Sequence, residues 1–275
     1  MPIPVYVSTG TFITRKNGRN FRLVESVGPM LHADGFEFLM FDSWNDKIRE
    51  IRSFLRQSGA RFPVMHPDKA IGDALSVHGA AGEEEAVRIL SRDLETALAI
   101  GAKKMVLHLW NGPEADKRFD EILPAARRLF ELSQSAGVEL TVENVISAEC
   151  LALQRLKALS EFDSRFTFTY DTKMAHLKNE NALLQKDEWK FLFSENKVTH
   201  LHVNDSSVSR HSGGRLTVLH MGEGDVDFIS FFRHLKNMRY NGTATVESTS
   251  VNDDGTCDTE KLNRTLDRVR EGLNP

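Results

Sequence analysis

Glu139-Leu140-Thr141-Val142-Glu143 is a short β-branched and apolar run that follows the turn signal Ala136-Gly137 and ends on a carboxylate. It reads as a strand, because such residues suit a pleated, half-buried surface and the glycine ahead of them breaks a helix. The same design recurs on both sides. Before it stand Val5-Tyr6-Val7, Gly35-Phe36-Glu37-Phe38-Leu39-Met40-Phe41, Phe62-Pro63-Val64-Met65-His66 and Lys104-Met105-Val106-Leu107-His108. After it stand Phe166-Thr167-Phe168-Thr169-Tyr170-Asp171, Val198-Thr199-His200-Leu201-His202-Val203 and Thr243-Ala244-Thr245-Val246-Glu247. Together they make eight candidate strands.

Helical stripes fill most of the intervals. Ile48, Ile51, Phe54 and Leu55 share one helical face, as do Ala86, Ile89, Leu90 and Leu94. Leu123, Ala126, Leu129, Phe130 and Leu132 form a third stripe, and Leu262, Leu266 and Val269 a fourth. Strands alternating with helices predict parallel pairing. A spacing of about 34 residues per unit suits a (β/α)8 barrel, which typically runs to ~250 residues. The expected fold class is therefore α/β, a (β/α)8 TIM barrel forming a single domain over residues 1–275. The rival, an open doubly wound sheet, usually carries a Gly-rich phosphate turn after an early strand. Here the first strand leads into Ser8-Thr9-Gly10-Thr11-Phe12, and Gly222-Glu223-Gly224 comes late and follows no strand.

Composition narrows the function. The chain has 275 residues, 40% hydrophobic and 27% charged, an ordinary globular balance. Its net charge of -4 argues against a protein built to hold a phosphate backbone, and so against nucleic acid as partner. Cys150 and Cys257 form no CxxC pair. Met1-Pro2-Ile3-Pro4-Val5-Tyr6 has neither a basic n-region nor a long apolar h-region, and no apolar stretch reaches the ~18–20 residues that span a bilayer. A cytoplasmic protein with no membrane contact is expected.

The functional signal lies at the strand ends. His66 ends strand three, His108 strand four, Glu143 strand five, Asp171 strand six and Glu247 strand eight, while His202 sits on strand seven. Strand C-termini of a barrel converge on one mouth, where active sites form. These residues are spaced about one β/α unit apart, which makes them a candidate constellation. Glu143, Asp171, His202 and Glu247 give three carboxylates and one imidazole, a hard set suited to a divalent metal ion: Mn²⁺, Mg²⁺ or Co²⁺, with Zn²⁺ also admissible. His66, His108, Trp110, His176, His200, Asp205 and His220 are candidate substrate-binding or orienting residues. Asp225 reads as an N-cap and Glu37, on strand two, as a core-facing partner for a basic residue. No GxSxG elbow, HExxH pair or P-loop is present.

Gly35-Phe36-Glu37, Val142-Glu143-Asn144, Tyr170-Asp171-Thr172, His200-Leu201-His202-Val203-Asn204-Asp205, Met221-Gly222-Glu223-Gly224 and Val246-Glu247-Ser248, in this order and spacing, resemble the xylose-isomerase-like barrel superfamily. Sugar isomerases, ketose 3-epimerases, inosose dehydratases and metal-dependent apurinic-site endonucleases belong to it. The resemblance implies that Glu143, Asp171, His202 and Glu247 hold one metal and that Glu143 and Glu247 also serve as the acid/base pair. His66 and His108 look like the further zinc ligands of the endonucleases. Two positions depart from the family pattern. Met174 stands where the family often has His three residues beyond the strand-six Asp, and Val218 stands where the endonucleases place an Asp two residues before the His ahead of the Gly-Glu-Gly turn.

The activity expected is that of a metal-dependent sugar isomerase or epimerase, acting on a ketose or related polyol, phosphorylated or not, by proton transfer through a metal-stabilised enediolate. Trp110 would stack on a sugar face, and His108 and His200 would bind hydroxyls. The alternatives are an endonuclease-type phosphodiester hydrolase and an inosose dehydratase-like lyase. A barrel that has lost catalysis is disfavoured, since all four metal positions are filled. The resemblance also implies that a homo-oligomer is an expected assembly.

Overall fold

The computed structural model describes residues 1–77, 79–111, 113–207 and 217–274. Its strands are β1 (Val5–Ser8), β2 (Phe36–Leu39), β3 (Val64–His66), β4 (Lys104–Leu107), β5 (Glu139–Glu143), β6 (Thr167–Asp171), β7 (Val198–His202) and β8 (Thr243–Val246). They pair in sequence order into a closed parallel barrel. β1 closes it against β8, with Val5 opposite Ala244, Tyr6 opposite Thr245 and Val7 opposite Val246. All eight expected strands are present, most trimmed at the ends by a residue or two.

A principal helix follows each strand: α1 (Leu23–Val27), α2 (Ile48–Gln57), α3 (Ala80–Ile100), α4 (Phe119–Ser135), α5 (Ala152–Phe162), α6 (Phe191–Ser194), α7 (Phe228–Asn237) and α8 (Thr259–Leu273). Ile51 and Leu55 of α2, Ile89 and Leu90 of α3, Leu129 of α4 and Leu266 of α8 bury the stripes read from the sequence. Gly59 and Gly137, at φ of 70° and 71°, turn the chain after α2 and α4 where an L side chain would be strained. The N-cap of α7 is Asp227, whose carboxylate accepts from Ser230 N at 3.0 Å, and not Asp225, which accepts from Ser207 Oγ at 2.6 Å. Among the described residues no helix is long and apolar enough to cross a membrane.

Strand alternation sorts side chains between two environments. Outward residues such as Val7, Phe38, Met105, Val142, Phe168 and Val246 join the helices in one large apolar cluster. Inside the barrel, Tyr6, Val64 and Val106 form a separate small cluster. The other alternating positions of β5 to β8 are polar: Thr141, Glu143, Thr169, Asp171, His200, His202 and Thr245 are all buried. Thr141 Oγ1 and Thr169 Oγ1 lie 2.6 Å apart and join β5 to β6 inside the barrel. Filling the barrel with polar groups is costly unless they are paired, so the fold commits its interior to hydrogen bonding.

One irregularity positions the site. Phe168 pairs with Val198, but the next residue, Thr169, pairs with His200, so Thr199 is an extra residue on β7. Val198 and Leu201 both join the outer apolar cluster although three residues apart, which strict alternation forbids. The bulge resolves this and keeps His200 and His202 facing inward, a common use of a bulge beside a functional site.

Candidate metal centre

Glu143 ends β5 with its carboxylate divided between two neighbourhoods. Oε2 accepts from His108 Nε2 at 2.7 Å and lies 3.6 Å from His66 Nε2. Oε1 lies 3.4 Å from His202 Nδ1. His202 Nδ1 is also 3.3 Å from Glu247 Oε2. Ligand atoms of Glu143, Asp171 and His202 all lie within 4.8 Å of one another, and so do those of His66, His108 and Glu143, and of Glu37, His200 and His202. Glu247, just past the end of β8, reaches the first trio through His202 and is the most open of the four, its side chain 19% exposed.

Asparagines tie these strand ends together. Asn144 follows Glu143 and accepts the Asp171 N–H on Oδ1 at 2.6 Å, while its Nδ2 donates to Asp171 O at 3.2 Å. Asn204 accepts Glu247 N–H on Oδ1 at 3.0 Å and reaches Glu247 Oε2 at 3.3 Å and Asp171 Oδ2 at 3.4 Å with Nδ2. Thr172 Oγ1 donates to Asn204 O at 2.7 Å and accepts Asn204 N–H at 3.0 Å. Asp171 also caps the short helix Thr172–His176, its Oδ1 accepting Lys173 N–H at 2.7 Å. These contacts hold three candidate ligands in register through buried side chains.

The local charges are unbalanced. Glu37, Glu143, Asp171 and Glu247 gather around His202, with Lys173 close by, its Nζ 3.3 Å from Asp171 Oδ2. Burial, with Glu143 and Glu247 adding their repulsion, raises the Asp171 carboxyl to about 6 against the pull of Lys173. Burial disfavours charge on Lys173, but Asp171, Glu247 and Glu143 outweigh it and hold the ammonium charged. Burial pushes His108 down to about 4, so it meets Glu143 as a neutral donor.

The donor set fits a divalent cation. His202 Nδ1 is buried without a hydrogen-bond partner although it faces two carboxylates. A buried orphan nitrogen is rare, and one aimed into a group of carboxylate oxygens is what a hard cation with a single imidazole ligand requires.

The other expected residues divide. His66 and His108 join the cluster, and His66 Nδ1 contacts Pro67 O at 2.9 Å, which turns Nε2 toward Glu143. His200 lies behind the trio: Nδ1 is 2.7 Å from Thr243 Oγ1, and Nε2 meets Glu37 and Thr245, each at 3.1 Å. No ring nitrogen of His200 is left for a sugar hydroxyl. Trp110 is fully buried against Phe119 and donates Nε1–H to Val145 O at 3.2 Å, a core position rather than a stacking wall. Asp205 accepts four backbone amides, from Ser206, Gly222, Gly224 and Val226, and so builds the turn that carries Gly222 and Gly224. His220 is held by Thr265 Oγ1 at 2.7 Å and Thr249 O at 3.2 Å. His176 ends the short helix after β6 with Nε2 buried and unpartnered, and it belongs to none of the three groups. Sequence reasoning assigned no role to Asn144, Asn204 or Lys173. The signal was present for the asparagines: each sits at or just past the end of a strand that carries a candidate ligand, and a side-chain amide mimics a peptide group there.

The family model described as xylose isomerase-like TIM barrel matches residues 21–271. An L-ribulose 3-epimerase of Methylomonas sp. (strain DH-1) is 24% identical over 231 residues, 79% of this chain and 74% of that protein. The fold is similar to that of a D-allulose 3-epimerase from Methylomonas sp. solved with D-allulose, with a TM-score of 0.71, 15% identity and coverage of 98% and 97% of the two chains. It is also similar to a 3-keto-D-glucoside 4-epimerase from E. coli, with a TM-score of 0.64, 16% identity and coverage of 98% and 99%.

Proposed function

The chain belongs to the xylose isomerase-like TIM barrel family, and on that premise we propose that it is a metal-dependent isomerase or epimerase of a ketose or related polyol. The observation that carries this reading is the convergence of Glu143, Asp171 and His202 within 4.8 Å, with Glu247 beside His202. The epimerase names of the relatives support the same class of reaction.

Glu143, Asp171, His202 and Glu247 would hold the ion. When bound, it supplies Lewis acidity toward a substrate carbonyl and its neighbouring hydroxyl, lowering the cost of removing the adjacent C–H proton. Glu143 and Glu247 are the candidates to move that proton. Glu143 accepts the His108 Nε2–H at 2.7 Å, a hydrogen bond that favours its ionised form, as a base needs. In epimerisation one carboxylate takes the proton and the other returns it from the opposite face. In isomerisation a single carboxylate moves it to the neighbouring carbon. Asn204 holds Glu247 at both its backbone N–H and Oε2, which fixes the direction from which that carboxylate reaches a substrate.

The test is a screen of ketoses, inososes and their phosphates with Mn²⁺ or Co²⁺ supplied, following deuterium uptake from heavy water. Carbon-bound deuterium with at least one substrate is expected, and Glu247→Gln should abolish it. Exchange that survives in that variant removes Glu247 from the base role. A second reading, phosphodiester hydrolysis, rests on the additional trio of His66, His108 and Glu143. Metal analysis separates the two: about one ion of Mn type supports sugar chemistry, whereas two or three zincs support the hydrolase.

A further inference from the structure

The two ring nitrogens of His202 face opposite surroundings. Nδ1 looks toward Glu143 Oε1 at 3.4 Å and Glu247 Oε2 at 3.3 Å. Nε2 looks into the barrel at Glu37, 3.2 Å from Oε1 and 3.2 Å from Oε2. Glu37 reaches there from β2, on another side of the barrel, and its carboxylate also receives His200 Nε2 at 3.1 Å. His200 is braced in turn by Thr243 Oγ1 on its Nδ1 at 2.7 Å. Glu37, His200 and His202 have no solvent exposure.

A carboxylate at this depth has no simple stability rationale. The same interior layer holds Tyr6, Val64 and Val106, and replacing a buried ionic group by a fitted apolar one is often neutral or stabilising. What Glu37 does have is a defined effect on His202. An ionised carboxylate only accepts hydrogen bonds, so it holds a proton at Nε2 and leaves Nδ1 as the nitrogen whose lone pair is free for a cation. It also fixes the direction of the Nε2–H bond, through the hydrogen bond to Glu37 Oε2 at 3.2 Å. Outer carboxylates act in this way on metal-binding histidines in general.

We infer that Glu37, braced by His200, is a positioning residue that locks His202 as an Nδ1 ligand aimed at the cation site of Glu143, Asp171 and Glu247. This rests on the reading of that cluster as a cation site. Glu37 Oε2 makes hydrogen bonds with His200 Nε2 at 3.1 Å and His202 Nε2 at 3.2 Å, which favours an orienting relay over a second ion.

The test uses Co²⁺ alone as probe, with no substrate. Affinity is taken from chelator competition and coordination from the visible spectrum, for the wild type, Glu37→Leu and Glu37→Gln. Glu37→Leu should bind Co²⁺ some 10–100-fold more weakly and alter the spectrum. Glu37→Gln, whose side-chain carbonyl can still accept the Nε2 proton, should recover a large part of the loss. Unchanged affinity and spectrum in a folded Glu37→Leu overturns this inference and leaves the cation-site reading standing. Absence of Co²⁺ binding by the wild type overturns both. Two ions in the wild type and one in Glu37→Leu overturns it in favour of a cation held by Glu37 itself. Should Glu37→Leu fail to fold, ¹⁵N NMR of the histidine rings in the wild type with Cd²⁺ decides: ¹¹³Cd coupling to Nδ1 of His202 with the proton on Nε2 is expected, and a proton on Nδ1 refutes the assignment.

Discussion

Asn144 and Asp171 exchange two hydrogen bonds: Asn144 Oδ1 accepts the Asp171 N–H at 2.6 Å and Asn144 Nδ2 donates to Asp171 O at 3.2 Å. The side-chain amide stands in for a strand residue and continues the pairing of β5 and β6 one step past Glu143. Asp171 is thereby placed by the residue next to Glu143.

Removing this clamp should loosen both fold and site. Asn144→Ala leaves the buried N–H and C=O of Asp171 without that partner, and an unsatisfied buried group costs ~1–3 kcal/mol. Urea unfolding should show a loss of at least ~2 kcal/mol, and Mn²⁺ affinity should fall with it. Wild-type stability in this variant would mean that another group takes over the role of Asn144.

A cation should stabilise the native state by linkage. At a hundred times its dissociation constant a bound ion contributes ~2.7 kcal/mol, which for a chain of this size corresponds to a rise in Tm of ~5–10 °C. Calorimetry in Mn²⁺ and in excess chelator should show that difference, and His202→Ala should remove most of it. Equal Tm values in both buffers for the wild type would contradict a folded-state cation site.

The turn held by Asp205 should tolerate no side chain at Gly224. A Cβ there would collide with Asp205 Oδ1 and Ser206 O. Gly224→Ala should cost ~1–3 kcal/mol, as overpacking does. Asp205→Ala, which strands four amides, should cost more. Because the two positions touch, the double variant should lose less than the two single losses combined, which a thermodynamic cycle from denaturant melts reads directly.

Acid should expose the buried His220. Burial, reinforced by Lys261, lowers its pKa below the ordinary value of 6.5. The unfolded chain then binds a proton that the folded one refuses, so the stability linked to His220 is complete above pH 6.5 and is lost as pH falls below it. Between pH 7.5 and 5.5 the wild type should lose more stability than His220→Gln. The excess is bounded by ~1.4 kcal/mol for each pH unit that separates the folded and unfolded titrations of the imidazole. Parallel pH dependences in the two proteins would count against a buried neutral His220.

The barrel was legible because its signals are local. Each strand is a short apolar or β-branched run, and glycines such as Gly59 and Gly137 mark the turns. Glu143, Asp171, His202 and Glu247 could be grouped because a barrel gathers its strand ends whatever lies between them. His200, Trp110, Asp205 and His220 were harder, since their surroundings are set by distant partners. His200 faces Glu37 across the barrel, Trp110 turns to Val145, and His220 meets Thr265 of α8. Period-two alternation says that His200 shares a face with His202, but not that β2 supplies a carboxylate to meet both. The bulge at Thr199 leaves only a trace in the sequence, the three-residue step from Val198 to Leu201, and is otherwise a matter of register between β6 and β7.

Glu143, Asp171 and His202 are rooted in strands, and Glu247 directly follows one. The side chains of the candidate cation site are therefore separable from the loops at the mouth. Grafting or trimming the connections at the mouth can reshape the rim while the charges beneath stay in place, so divergence within such a scaffold calls for new loops rather than a new centre.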